Sequence, residues 1–347
     1  MLSRRDLNRT LLRRQHLLER TSTTAVEMVD HLIGLQAQDT LPPYLSLAAR
    51  IDAFDPRELS AALEGAQLVR LLSLRGTIHV LTPDDALALR AWVQPAIDRA
   101  ATGNQTNRPA RDIPVADVVA ATRRLLSEGP MPIKDLGERL AGTFPGVPAA
   151  ALGQVARERV PLVQLPPRGL WQRSGGVVYQ TVENHLRRPC VQVDLRGLVR
   201  RYLAAFGPAT AADMTAWSRV TRLGPVFASM RAELLVVECE DGRRRYDVPG
   251  APYARGDEPA PPRLLGGYDN LWLSHADRHH VLDDSARRRW AGVNGGTGNA
   301  VFVDGFMAGL WWWREGAVHL ETFRPLTRAE RADLDQEVDR VCGLLSR

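Results

Sequence analysis

The stretch VADVVAATRRLLSEGP, residues 115–130, decides how the rest of the chain is read. Val115, Val118, Val119, Leu125 and Leu126 recur at helical spacing, and Gly129-Pro130 stops the helix. Pro132–Leu140 reads as a second helix and Ala149–Arg159 as a third. An extended segment, Leu162–Thr181, follows with a Gly175-Gly176 turn. The same order recurs downstream in LRGLVRRYLAAFGP, residues 195–208, where Leu195–Phe206 ends at Gly207-Pro208. Helical Ala211–Ser218 and Pro225–Leu234 come next, then a hairpin pairing Leu235–Glu240 with Arg244–Val248 across Asp241-Gly242. Helix, turn, helix, helix, hairpin is the order of a winged helix-turn-helix.

The first hundred residues fit the same template. Leu7–Glu19, Thr24–Gln36 and Pro56–Leu63 read as helices, the last capped by Asp55. A strand pair through Val69–Leu74 and Thr77–Leu81 turns near Arg75-Gly76. The proline-rich stretch Pro249–Pro262 separates these modules from Leu264–Leu273, Ala300–Trp313 and Ala317–Phe323, which read as strands. Thr327–Ser346 closes the chain as a helix with Thr327 and Glu330 spaced as a capping box. The expected fold is α+β: three tandem winged helix-turn-helix modules (1–108, 109–190, 191–258), then a small β-rich domain with a closing helix (259–347).

Composition narrows the function. The chain is 44% hydrophobic and 24% charged, with a formal charge of +5, which favours an anionic partner. Lys134 is the only lysine among its 347 residues, so imine chemistry has a single side-chain amine to draw on. Cys190, Cys239 and Cys342 form no Cys-x-x-Cys pair, which excludes a zinc ribbon or a cysteine-held iron–sulfur cluster. The N-terminus MLSRRDLNRT lacks the apolar core of a signal peptide and no stretch approaches a membrane span, so a cytosolic protein is expected.

Two motifs, Leu35-Gln36-Ala37-Gln38-Asp39 and Leu74-Arg75-Gly76-Thr77-Ile78-His79, stand ahead of a third, Tyr268-Asp269-Asn270-Leu271, which Asp277-Arg278 follows. In that arrangement the chain resembles the AlkZ/YcaQ-type winged-helix DNA glycosylases over nearly its whole length, which implies three winged helices and then a β-barrel-like domain. The resemblance implies that Gln36 and Gln38 are the catalytic pair of a Gln-x-Gln branch. That branch is associated with N-alkylated purines, bulky natural-product adducts and, in some members, interstrand crosslinks and genotoxin self-resistance. The implied partner is double-stranded DNA containing alkylated purines, bound by a monomer without nucleotide cofactor or membrane.

The chemistry is consistent with two amides. A purine alkylated at N7 or N3 already carries positive charge, so the base departs neutral without a strong general acid. What remains is to stabilise an oxocarbenium-like state and place a water beneath the anomeric carbon, which amides do as hydrogen-bond donors and acceptors. Residues two apart on a helix diverge, so Gln36 and Gln38 converge only where the helix is ending; Pro42-Pro43 sets that end nearby. The competing reading has one glutamine capping the helix and the other facing solvent. Asp39 is either a proton acceptor or a turn residue. With Lys134 far from the glutamines in sequence, water is the expected nucleophile and an intact abasic site the expected product.

Arg75, Thr77 and His79 share one face of a strand and are candidate DNA contacts, the alternative being an Arg and His packed on a carboxylate. Arg278 and His279 are further candidates. The His275–His280 cluster lacks a clear third ligand, so no metal is expected. Asp269 is expected to hold Arg278 or a backbone turn, and Arg4, Arg5, Arg9, Arg13, Arg14 and Arg20 to form a solvated basic face or phosphate contacts. Gly295–Asn299 lacks a P-loop lysine and reads as a turn, so no cofactor is expected. One tryptophan of Trp311-Trp312-Trp313 should be core. The rival readings are a winged-helix transcriptional regulator and a non-catalytic binder of damaged DNA.

Overall fold

A computed structural model describes residues 1–290 and 298–347. They form two compact units, one of residues 1–58, 195–217 and 222–347, the other of residues 59–194 and 218–221. The turn expected at Gly295–Asn299 begins outside the described residues.

In the second unit the periodic stretch from Val115 becomes the helix Val115–Ser127, followed by Ile133–Thr143 and Ala149–Arg159. Val118, Leu125, Leu136, Leu140, Leu152 and Ala156 bury the shared apolar face. Antiparallel strands pair in the order Ile78–Leu81, Val69–Leu72, Leu162–Gln164, Val178–Thr181, Met131–Pro132. The hairpin around Arg75 and the extended segment after Arg159 thus share one sheet, joined where Arg70 pairs with Gln164. Two further helices, Pro83–Trp92 and Gln94–Thr102, have no counterpart in the sequence reading.

The third helix of a winged helix-turn-helix normally enters the major groove. Here Ala149–Arg159 is covered by Gln94–Thr102 and Gln105–Ala110. Glu158 is buried and accepts hydrogen bonds from Asn104 Nδ2 (3.1 Å), Asn107 Nδ2 (2.5 Å) and Gln154 Nε2 (2.6 Å). Arg90 and Gln94 donate to its backbone carbonyl. Those bonds satisfy a carboxylate that burial would otherwise penalise, and they hold the helix inside the unit.

In the first unit the helix Leu195–Phe206 and the helix Ala211–Ser218 have the expected bounds. Leu235–Glu238 pairs with Arg244–Asp247 around Gly242, whose φ of 74° the Asp-Gly turn requires. Four antiparallel strands run in the order Ala317–Thr322, Phe306–Arg314, Asn299–Val303, Arg263–Leu265. Among the described residues this sheet is open, its end strands Ala317–Thr322 and Arg263–Leu265 not paired with each other, which corrects the barrel-like expectation. The Arg263–Leu265 edge is instead covered by the helices Pro42–Arg50 and Arg328–Leu345. Asp304-Gly305 splits the single strand expected over Ala300–Trp313 into a hairpin. Gly266-Gly267 ends the strand expected over Leu264–Leu273, and Asp269 caps the short helix Asn270–Leu273. Trp311 is core and donates through Nε1 to Leu265 O at 3.0 Å; Trp312 stays exposed, stacked on His319.

Two arginines of the first helix, Arg4–Arg14, depart from the solvated-face expectation: Arg9 and Arg14 are buried, while Arg5 stays exposed. Arg14 forms a fully buried bidentate pair with Asp247, both bonds 2.8 Å. Arg9 is buried against Asp304, Arg13 pairs with Glu258, and Arg20 grips Glu337. Arg5 also reaches Asp304, and Arg4 Nε donates to His279 O. Much of this basic-looking segment is therefore committed to ion pairs within its own unit.

Candidate active site and nucleic-acid contacts

The Gln-x-Gln segment leaves a short strand at Gln36 and enters a bend at Gln38, instead of lying at a helix end. The helix Ala25–His31 starts at a capping box of Thr24 and Glu27 and stops five residues before Gln36. Ile33 (φ 51°) and Gly34 (φ 96°) turn the chain out of the helix, a pair of left-handed positions in which glycine is the natural second member. Leu35–Gln36 is then a strand, and the chain bends from Gln38. The helix that would have set the two glutamines apart has therefore ended before either of them. Pro42-Pro43 begins the next helix, Pro42–Arg50, instead of ending the previous one, because proline is favoured at the first helical position. Gln36 is buried at 7% exposure, whereas Gln38 and Asp39 are exposed. The two amides straddle the surface, one anchored and one reachable.

What holds this segment comes from the third motif. Asn270 Nδ2 donates to Gly34 O at 2.9 Å and Leu32 O at 3.4 Å, fixing the turn that leads into Gln36. Asp269 accepts from Arg50 Nη2 at 2.7 Å and Nη1 at 2.8 Å, and from Ser46 Oγ at 2.9 Å, fixing the helix that follows Gln38. Arg50 Nη2 also donates to Gln15 Oε1 at 3.0 Å. Asp269-Asn270 thereby clamps the chain on both sides of Gln-x-Gln, a physical reason for the motifs to occur together. Asp269 does hold a backbone turn, through Leu271 N, but its charged partner is Arg50 and not Arg278. Sequence reading missed Ser46, Arg50 and Gln15, whose partner Asp269 lies more than 200 residues away for the first two. It also passed over His16 and His31, whose rings meet edge-on at 5.3 Å.

The proposed DNA contacts divide between the units. In the second, Arg75 occupies a left-handed turn (φ 58°) and its Nη2 lies 3.0 Å from His79 Nε2. His79 Nδ1 lies 3.0 Å from Thr77 O, so Nδ1 carries the proton and Nε2 accepts from the guanidinium. Burial, with Arg75 beside it, holds His79 well below its ordinary pKa of 6.5. The ring is buried, so it acts on the surface only by aiming the half-buried Arg75. In the first unit Arg278 lies 6.0 Å above the Trp290 ring, and His279 is exposed. Lys134 is exposed beside Glu138, its Nζ 3.8 Å from Oε1.

His275 and His280 are also buried, and burial lowers both their pKa values. With His79 they make three imidazoles that the fold keeps neutral. The unfolded chain takes up protons at these rings as pH falls through 6.5, whereas the folded chain resists. Their contribution to stability is therefore full above that pH and is lost below it. Melting temperature is expected to fall by several degrees between about pH 7.5 and about pH 5.5, a drop that calorimetry would show. A midpoint unchanged across that range would contradict the neutral assignment.

Residues 29–344 match the family model described as DNA glycosylase AlkZ-like. Over 325 residues the chain is 27% identical to the interstrand DNA cross-link repair glycosylase of Streptomyces sahachiroi, covering 86% of this chain and 85% of that protein. The solved structure of Streptomyces sahachiroi DNA glycosylase AlkZ is similar with a TM-score of 0.78 at 22% identity, over 100% of this chain and 98% of that one.

Proposed function

The chain belongs to the DNA glycosylase AlkZ-like family, and we propose on that premise that it hydrolyses the N-glycosidic bond of cationic N-alkylated purines in duplex DNA. The observation that supports this reading is the clamped segment in which Gln36 is buried and Gln38 exposed. Amides have no proton to give or take at neutral pH, so they suit a lesion whose charge has already weakened the bond. In the proposed mechanism Gln36 and Gln38 orient a water beneath the anomeric carbon while the base leaves neutral. N7-alkylguanine and N3-alkyladenine are the smallest substrates of that kind. Bulky adducts and interstrand crosslinks are larger ones, and the Streptomyces relative is named for the latter.

DNA would be held by Arg75, positioned by His79 and Thr77, and by Arg278 and His279. The three helix-and-hairpin modules at 1–108, 109–190 and 191–258 would form the scaffold that presents them. The buried third helix of the middle module speaks against operator reading by that module, as a transcriptional regulator would require.

The decisive assay incubates the protein with a duplex carrying 7-methylguanine and then applies mild alkali. Strand breaks that appear only after alkali support the reading; no release of any alkylated purine refutes it. Borohydride present during turnover is expected to trap no covalent protein–DNA adduct, and Lys134→Ala is expected to keep the wild-type rate. A trapped adduct lost in Lys134→Ala would show an imine mechanism instead.

A further inference from the structure

We propose that the loop of residues 165–177 is a phosphate-binding element that grips the backbone of duplex DNA without regard to sequence. Naming duplex DNA rests on the proposed function; the un-neutralised cationic loop does not.

The longest stretch of the chain without an aspartate or glutamate is residues 159–182. It holds the strands Leu162–Gln164 and Val178–Thr181, which pair with each other, and the loop between them. That loop carries Arg168, half-buried, and Arg173, exposed. Neither guanidinium makes an ion pair or a hydrogen bond among the described residues. The hairpin of residues 235–247 in the first unit is the opposite case. There Arg243 is paired with Asp277, Arg244 with Glu238 and Arg245 with Asp241. Two cations with no acid to neutralise them, in a segment that has none of its own, match the charge of a phosphate backbone.

The loop is also built to hold its shape. Leu170 N donates to Pro167 O at 3.1 Å and Arg173 N to Leu170 O at 3.2 Å, closing two consecutive turns. Arg168 stands at the corner of the first and Arg173 at the end of the second. Gly169 takes φ 95° beside Arg168, and a Cβ there would meet Arg70 Cδ at 2.6 Å. A Cβ at Gly175 would meet Pro167 Cγ at 2.7 Å, so the returning limb lies directly on the first turn. Trp171 N donates to Ser60 Oγ at 2.9 Å, which ties the loop to the body of its unit. A loop fixed in advance loses little freedom on binding.

The neighbouring third helix, Ala149–Arg159, is covered, so base edges are out of its reach. Contacts to phosphate position a protein on the duplex and carry no sequence information. An enzyme that follows damage must dock at any sequence, and the phosphates repeat at every step. Exposed Gln172 and Ser174 add neutral hydrogen-bond donors beside the arginines.

The test is fluorescence anisotropy of the full chain on two undamaged duplexes of unrelated sequence, titrated with sodium chloride. Each phosphate contact contributes about 0.9 to the slope of log affinity against log salt. Arg168→Gln and Arg173→Gln are each expected to lower that slope by about one and to weaken binding about tenfold near ~0.1 M salt, equally on both duplexes. Arg168→Lys and Arg173→Lys should keep the slope, because the charge remains. Arg244→Gln, on the self-neutralised hairpin, should leave slope and affinity unchanged. An unchanged slope in the double variant Arg168→Gln/Arg173→Gln overturns the proposal. So does a loss confined to one duplex, an equal loss in Arg244→Gln, or a slope lost equally in the lysine variants. Undamaged duplex makes the readout independent of excision. Wild-type excision of 7-methylguanine, with an unchanged slope in the double variant, removes this loop's role alone. A lowered slope in a protein that excises nothing leaves the loop's role and removes the proposed function.

Discussion

Gln38→Ala is expected to release 7-methylguanine about 100-fold more slowly than wild type, with duplex binding and thermal stability little changed. The water beneath the anomeric carbon needs a partner that fixes its direction of attack, and misplacing a reactant by about 1 Å can cost that much rate. Because Gln38 is exposed, its truncation removes no core packing, and exposed substitutions change stability by only about 0.5 kcal/mol. Single-turnover release from excess enzyme therefore reports chemistry and not the folded fraction. Gln36→Ala should also be slow, but Gln36 is buried, so part of its effect will be structural. Wild-type release by Gln38→Ala would remove the amide mechanism.

The second large effect is on stability. Asp269→Ala should destabilise the protein by about 3–5 kcal/mol, because it leaves the Arg50 guanidinium buried without its counter-charge. The same change removes the cap of the helix Asn270–Leu273 and the acceptor of Ser46. Urea denaturation followed by tryptophan fluorescence measures it. Asp269→Ala combined with Arg50→Met should be less destabilised than the sum of the two single variants, since the second change removes the stranded charge. Additive costs would show that the two side chains do not act as a pair. Asp269→Ala should also lower excision under conditions where it remains folded, because Ser46 and Arg50 lie on the helix that follows Gln38.

Local chemistry made much of the helical framework legible. Ala149–Arg159, Leu195–Phe206 and Ala211–Ser218 have the bounds that periodicity and Gly-Pro stops implied. Thr327 and Glu330 form the capping box that their spacing announced. What stayed hidden was whatever depended on partners far along the chain. Arg14 reads as a surface residue until Asp247, 233 positions later, is placed against it. Pro42-Pro43 is ambiguous locally, since proline both ends one helix and begins another. The site divides the same way. Gln36, Gln38 and the Tyr268–Leu271 segment were picked out by resemblance, whereas Ser46 and Arg50 carry no local signal and emerge only from the contacts of Asp269.

The ion pairs of the first helix carry a consequence for the birth of the protein. A ribosome makes Arg9 and Arg14 well before their partners Asp304 and Asp247. At about 5–20 residues per second, Asp304 follows Arg14 by roughly 15 s to a minute. The unit of residues 59–194 and 218–221 is fully synthesised well before then. Leu7, Leu11 and Leu12 spend that interval without the residues beyond 221 that complete their unit. The first helix is thus a segment for a holdase chaperone to shield during that interval, and the order of translation sets which unit can mature first.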